Sequence, residues 1–131
     1  MNFNSSTPIY VQIGDYICNN ILKGSWAEGE KIPSVRDLSV SIEVNPNTVL
    51  RTYNSLQEQG VIYNKRGIGY FVDEHAYKKV KEMKTSEFVK KDLPYIFTIM
   101  DLLGLHFEDL KSFYDEYKKQ KKQGVVHENN R

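Results

Sequence analysis

The pair Asn45-Pro46 constrains this chain more than any other two residues. Proline has no amide hydrogen and a fixed φ, so it fits the first turn of a helix and breaks its interior, and an asparagine ahead of it supplies the side-chain acceptor of an N-cap. The pair therefore predicts a helix that begins at Pro46. Along it Val49, Tyr53 and Leu56 recur at i, i+4 and i+7 and should bury one face, whereas Asn47, Thr48, Arg51, Asn54 and Ser55 fall off that stripe and are polar and mostly uncharged. Gly60 stands where a left-handed residue closes the helix. Upstream, Ser34 and Asp37 have the spacing of a capping box for a short helix striped by Leu38 and Ile42, with Glu43-Val44 as the turn between the two helices. Downstream, Val61-Ile62-Tyr63 and Tyr70-Phe71-Val72 flank Asn64-Lys65-Arg66-Gly67-Ile68-Gly69 as strand, loop and strand. Helix, turn, helix and hairpin in this order predict a winged helix-turn-helix, with the loop as the wing.

The flanking segments fit around that centre. Thr7-Pro8 is a second cap and first-turn proline, and Ile9, Ile13, Ile17 and Ile21 step by four residues to Gly24, one amphipathic helix to cover the helix-turn-helix from behind, with Tyr10 and Tyr16 beside the stripe. Ile32 is placed to pair with the wing hairpin, and Trp26 to anchor the first helix to the next one rather than to stack on bases. Tyr53 has two open roles, core packing or a hydroxyl on a phosphate. Beyond Val72 the composition changes. Residues 73–91 are dense in Lys and Glu with sparse apolar positions, a pattern for a solvated helical connector whose lysines, Lys78, Lys79, Lys81 and Lys84, face water rather than phosphate. Pro94 should kink or restart a helix. Ile96, Ile99, Met100 and Leu103 then make one stripe ending at Gly104, His106 and Asp109 hold the places of a cap and its partner, and Leu110, Phe113, Tyr114 and Tyr117 make a second stripe. Two striped helices on a tight turn form a hairpin that cannot bury both stripes alone, so these eight residues are the expected dimer interface. The expected organisation is a mostly α protein with a small β wing: residues 1–73 the winged domain, 74–121 the connector and dimerisation hairpin, and 122–131 a disordered tail, with periodicity already lost from Lys118.

Composition narrows the function classes. No run is long and apolar enough for a membrane span, and the first residues lack the pattern of a signal peptide, so the expected location is the cytoplasm. Cys18 is the single cysteine, in a helical pattern, and reads as a core residue. His75, His106 and His127 are scattered without partners at ligand spacing, so no metal and no cofactor are expected. No nucleophile has a base and an orienting group nearby, and Gly67-Ile68-Gly69 lies in a hairpin rather than between strand and helix, so no enzyme is expected. Charge divides: residues 1–75 carry six Lys and Arg against eight Asp and Glu, yet between Val44 and Val72 Arg51, Lys65 and Arg66 face only Glu58. The presented face decides phosphate contact, so the local excess outweighs the total and predicts weak non-specific affinity for double-stranded DNA.

Three stretches carry a family resemblance. Ile32-Pro33-Ser34-Val35-Arg36-Asp37-Leu38, Val44-Asn45-Pro46-Asn47-Thr48-Val49 and Arg66-Gly67-Ile68-Gly69-Tyr70-Phe71-Val72 resemble, in order and spacing, the signatures of GntR-family bacterial transcription regulators, and the short remainder resembles the YtrA-like subfamily. The resemblance implies a repressor acting on transporter genes, and Arg36 as a contact to phosphate or a nearby guanine. Ile68 stands where many relatives carry a basic residue, which reduces the wing's share.

The geometry of a winged helix puts the helix from Asn45 in the major groove, where Asn47, Thr48 and Arg51 form the reading set; Lys65, Arg66 and Gly67 form the wing contact, and Asn45 joins the interface chiefly as a cap. A homodimer would read an inverted repeat. Fewer than sixty residues follow the wing, too few for an ordinary sensor domain, so a small-molecule effector would be left the cleft between hairpin and winged domain or the dimer seam near Tyr95, Phe97, Phe107 and Tyr114, where an aromatic core is the plainer reading. The rival function is a winged helix that binds protein instead of DNA.

Overall fold

The computed structural model describes residues 6–124. They form two compact units, one running to Thr85 and one starting at Ser86. In the first, α1 (Ile9–Lys23), α2 (Val35–Ile42) and α3 (Pro46–Glu58) are followed by the antiparallel pair β1 (Ile62–Lys65) and β2 (Gly69–Val72), and α4 (Ala76–Glu87) comes next. The second holds a π-helical turn over Phe88–Asp92, α5 (Leu93–Leu103) and α6 (Phe107–Lys122). The expected fold class is the observed one.

Local chemistry sets most of the boundaries in the first unit. Ser34 Oγ accepts the Asp37 amide at 3.0 Å, and Asn45 Oδ1 accepts the Asn47 amide at 2.7 Å, so both helices of the helix-turn-helix start on side-chain caps. The start of α1 differs from expectation: Pro8 is the cap residue itself, its carbonyl taking the amides of Val11 and Gln12, and the Gln12 side chain donates to the Thr7 carbonyl at 2.8 Å. Between α2 and α3 the chain turns through Glu43 at φ 57°, a left-handed conformation held by a side chain with a Cβ. That region costs a non-glycine residue about 1–2 kcal/mol. Glu43→Gly should raise the unfolding free energy by about 0.5–1 kcal/mol, the relief being offset in part by the freer unfolded chain. Urea denaturation reads it, and an unchanged midpoint would mean that the turn is unstrained.

Ile13, Ile17 and Ile21 of α1, Leu38 of α2, and Val49, Tyr53 and Leu56 of α3 are buried together with Ile62 and Val72 of the hairpin. Ile9 is the exception to the α1 stripe, exposed at the helix start. Cys18 lies in the core as expected, and Trp26 packs edge-on to Tyr16 at 6.1 Å between ring centroids. Tyr53 is a core residue and not a phosphate ligand: it is fully buried, its hydroxyl donates to the Pro33 carbonyl at 2.6 Å, and Tyr70 from the hairpin meets its ring edge-on at 4.8 Å. The segment before α2 joins the hairpin through Lys31 opposite Phe71, with the Ile32 amide donating to the Tyr70 carbonyl at 3.0 Å.

The helix after the wing is more than a solvated connector. Ala76 and Val80 are fully buried in the winged core, Lys79 Nζ donates to the Gly60 carbonyl at 3.0 Å, and Lys84 pairs with Asp15 of α1. Two small apolar residues four apart suffice for this docking, a signal easily lost among lysines. The His75 amide, and after it Lys79, hold the Asp73 carboxyl below its ordinary pKa at the start of this helix.

In the second unit an α-helix restarts at Leu93 with Pro94 in its first turn, as expected, directly after the π-helical turn. Leu93 donates its amide to the Phe88 carbonyl five residues back, and this wider turn absorbs the missing donor of Pro94. Gly104 ends α5 at φ 70°, and the Asp109 carboxylate accepts the His106 amide at 2.9 Å to start α6. α6 continues beyond Lys118, where the apolar periodicity is lost, to Lys122, the first residue of the expected tail; lysine and glutamine are good helix formers without any apolar stripe, and lysines suit a helix C-terminus. The rest of the expected tail, from 125 onward and including His127, lies outside the described residues. Among the described residues of this unit only Met100 is buried, and no described helix is long and apolar enough to cross a membrane.

Candidate nucleic-acid interface

The outward side of α3 exists because its inward side is committed. Val49, Thr52, Tyr53 and Leu56 are buried, which leaves Asn47, Leu50, Arg51 and Asn54 facing outward along consecutive turns. These four, with Tyr10 and Glu58, line an open cleft of about 570 Å³. Of the expected reading set, the structure brings Asn47 and Arg51 together here. Thr48 is half-buried at the edge of the core, and its carbonyl lies 3.2 Å from the Thr52 hydroxyl. Asn45 is exposed with its side-chain oxygen Oδ1 occupied by capping, and Arg36 is exposed on α2.

Arg51 is held in place by a residue from another helix. Its guanidinium carbon sits 3.9 Å from the ring centroid of Tyr10, and the Tyr10 carbonyl lies 3.0 Å from the buried Thr52 hydroxyl, which ties α1 to α3 at the same point. A guanidinium stacked on an aromatic face has lost part of its rotamer freedom before any ligand arrives, so less is lost on binding.

The wing is a three-residue tip between the paired Lys65 and Gly69, closed by the Ile68 amide on the Lys65 carbonyl at 2.8 Å. Gly67 supplies φ 80° there, and nothing lies within 4 Å of where its Cβ would stand, so a backbone or phosphate can approach closely. Strand alternation sorts the hairpin. Ile62 and Val72 point to the core, while Tyr63 stacks on Phe71 at 5.7 Å and Lys65 lies over Phe71 at 4.9 Å on the other face. Arg66 and Ile68 are exposed at the tip.

Three contributors escape a reading of the sequence. Tyr10 reads as the flank of a core stripe, and its ring on Arg51 is a contact across forty residues that no local pattern announces. Lys31 adds a cation beside the hairpin, its side chain lying against Gly69; alternation with the buried Ile32 would have placed it there. Leu50 belongs to neither the stripe nor the polar set, and only the packing of α3 shows it to be outward.

The expected dimer residues belong to the second unit. Met100 is buried, Ile96, Ile99 and Leu110 are half-buried, and Leu103, Phe113, Tyr114 and Tyr117 are exposed. Tyr95, Phe97 and Phe107 are exposed as well, so among the described residues of this unit these aromatic side chains form no buried core.

Residues 9–72 match the family described as bacterial regulatory proteins, gntR family. The chain is 37% identical over 108 residues to the HTH-type transcriptional regulator YhcF of Bacillus subtilis, covering 82% of this chain and 88% of that one. It is also 37% identical over 112 residues to the HTH-type transcriptional repressor YtrA of the same organism, covering 86% and 85%. Among solved structures, a transcriptional regulator of the GntR family from Bacteroides thetaiotaomicron superposes with a TM-score of 0.72 at 39% identity, over 87% of this chain and 99% of that one. With capped helices, wing and outward polar helix face all in place, the chain belongs to the GntR family: it is a DNA-binding transcriptional regulator with a winged helix-turn-helix, and not an enzyme.

Proposed function

We propose that this regulator is a homodimeric repressor that binds an inverted-repeat operator, α3 of each copy entering the major groove and each wing lying on the adjacent backbone. The observation that carries it is the pairing of Asn47 with a pre-stacked Arg51 on the exposed face of α3. Asparagine suits adenine and arginine suits guanine, each through two hydrogen bonds in the major groove. Arg36, Lys31, Lys65 and Arg66 are exposed cations suited to phosphates, and the open Gly67 suits a close backbone approach. The name of the YtrA relative supports the repressor sense, the YtrA-like resemblance supports transporter genes as the target, and binding to chromosomal DNA would go with a cytoplasmic location. Repression by occupancy needs no chemistry, only an operator that overlaps the site where transcription starts.

Selection of random double-stranded DNA by the purified protein tests the proposal, and an enriched inverted repeat is the expected result. No enrichment would favour the reading as a protein-binding winged helix. On the enriched duplex Arg51→Ala should cost about 1–3 kcal/mol and relax preference at one base pair of each half-site. Equal losses on operator and random DNA would reduce Arg51 to a phosphate contact. Lys65→Ala should instead weaken both alike and lower the salt slope by about one per wing, and an unchanged slope would remove the wing from the contact surface.

A further inference from the structure

Leu50 is a large apolar residue at the centre of a polar face. It is 40% exposed, while Val49, Tyr53 and Leu56 fill the core side of the same helix, so a substantial part of its apolar side chain faces outward. Asn47 stands one turn before it, Arg51 beside it and Asn54 one turn after, and all four line the same cleft. A leucine cannot donate or accept a hydrogen bond, and the major groove offers it one apolar feature, the C5-methyl group of thymine. We infer that Leu50 is a specificity-determining residue that selects thymine in each half-site by packing on that methyl, next to the base pairs addressed by Asn47 and Arg51. The inference rests on the proposed reading of α3 in the major groove.

The test exchanges one methyl group at a time. In the duplex enriched by selection, each thymine is replaced by deoxyuridine, which keeps every hydrogen-bonding group of the base and removes only the methyl. Binding is measured with the natural protein and with Leu50→Ala, a substitution at an exposed helical site that leaves the core and the caps untouched. At one thymine position per half-site, deoxyuridine should weaken the natural protein about fourfold, as expected for loss of one buried apolar carbon, and about fifteenfold when both half-sites are changed. Leu50→Ala should lose affinity for the thymine duplex and be indifferent to deoxyuridine at that position. If every thymine tolerates the exchange, or if the same penalty persists in Leu50→Ala, the inference is overturned while the operator reading stands. If no duplex is enriched at all, both fall together.

Discussion

Tyr53→Ala should destabilise the winged unit by about 3–5 kcal/mol, as large aromatic deletions in packed cores do. That is a large share of the stability of a small domain, so much of the variant should be unfolded near physiological temperature. The ring is fully buried, it meets Tyr70 of the hairpin edge-on, and its hydroxyl reaches the Pro33 carbonyl just ahead of α2. Removing it therefore opens a cavity, takes away the ring that Tyr70 packs on and leaves a carbonyl without its donor. Tyr53→Phe separates these effects and should cost about 1 kcal/mol, the net worth of one hydrogen bond. Burial, followed by Tyr70, Tyr16 and Asp37, also holds the Tyr53 hydroxyl well above its ordinary value of 10.0. Below pH 10 folded and unfolded chains both keep this proton; above it the unfolded chain releases the proton while the folded chain retains it, so stability falls as pH rises from there toward the folded value. Denaturation at pH 8 and pH 11 should show that loss in the natural protein and less of it in Tyr53→Phe. Equal losses in the two would assign the alkaline weakening to other groups.

The second large effect lies in the other unit. Leu103→Asp combined with Phe113→Asp should convert the proposed homodimer to a monomer at micromolar concentration and lower operator affinity by about two orders of magnitude or more, because a second half-site then has to be bound as a separate event. Both residues are exposed, 67% and 64%, so neither substitution opens a cavity within the chain. Charges placed on this surface cost little in one chain and much in a dry contact between two. Sedimentation reads the assembly, an operator titration reads the affinity, and unchanged thermal unfolding of the winged unit shows that the fold is intact. A variant that sediments as the natural protein does would exclude this face as the interface, and a monomer that still binds the operator as tightly would exclude dimerisation as the source of affinity.

The legible parts of the fold are those whose cause is local. Ser34, Asn45 and Pro46 mark helix starts because a side-chain oxygen or a missing amide hydrogen acts within three residues of itself. The stripes of α1 and α3 and the alternation of the hairpin follow from helix and strand periods, which are properties of the backbone alone. The boundaries that moved are those where local rules compete. Pro8 capped α1 instead of opening it, and the Lys-rich end of α6 stayed helical on propensity without a stripe.

By itself, the sequence determined the order of elements, the side of α3 that enters the core, and the membership of Asn47 and Arg51 in the face left over, because each depends on spacing along one element. The tertiary structure alone decided that Tyr10 lies beneath Arg51, that Lys31 joins the wing, that Ala76 and Val80 draw α4 into the winged core, and that Leu50 stands outward among polar neighbours. Those depend on which elements meet and at what distance, and contacts between residues tens of positions apart leave no periodic trace in either partner.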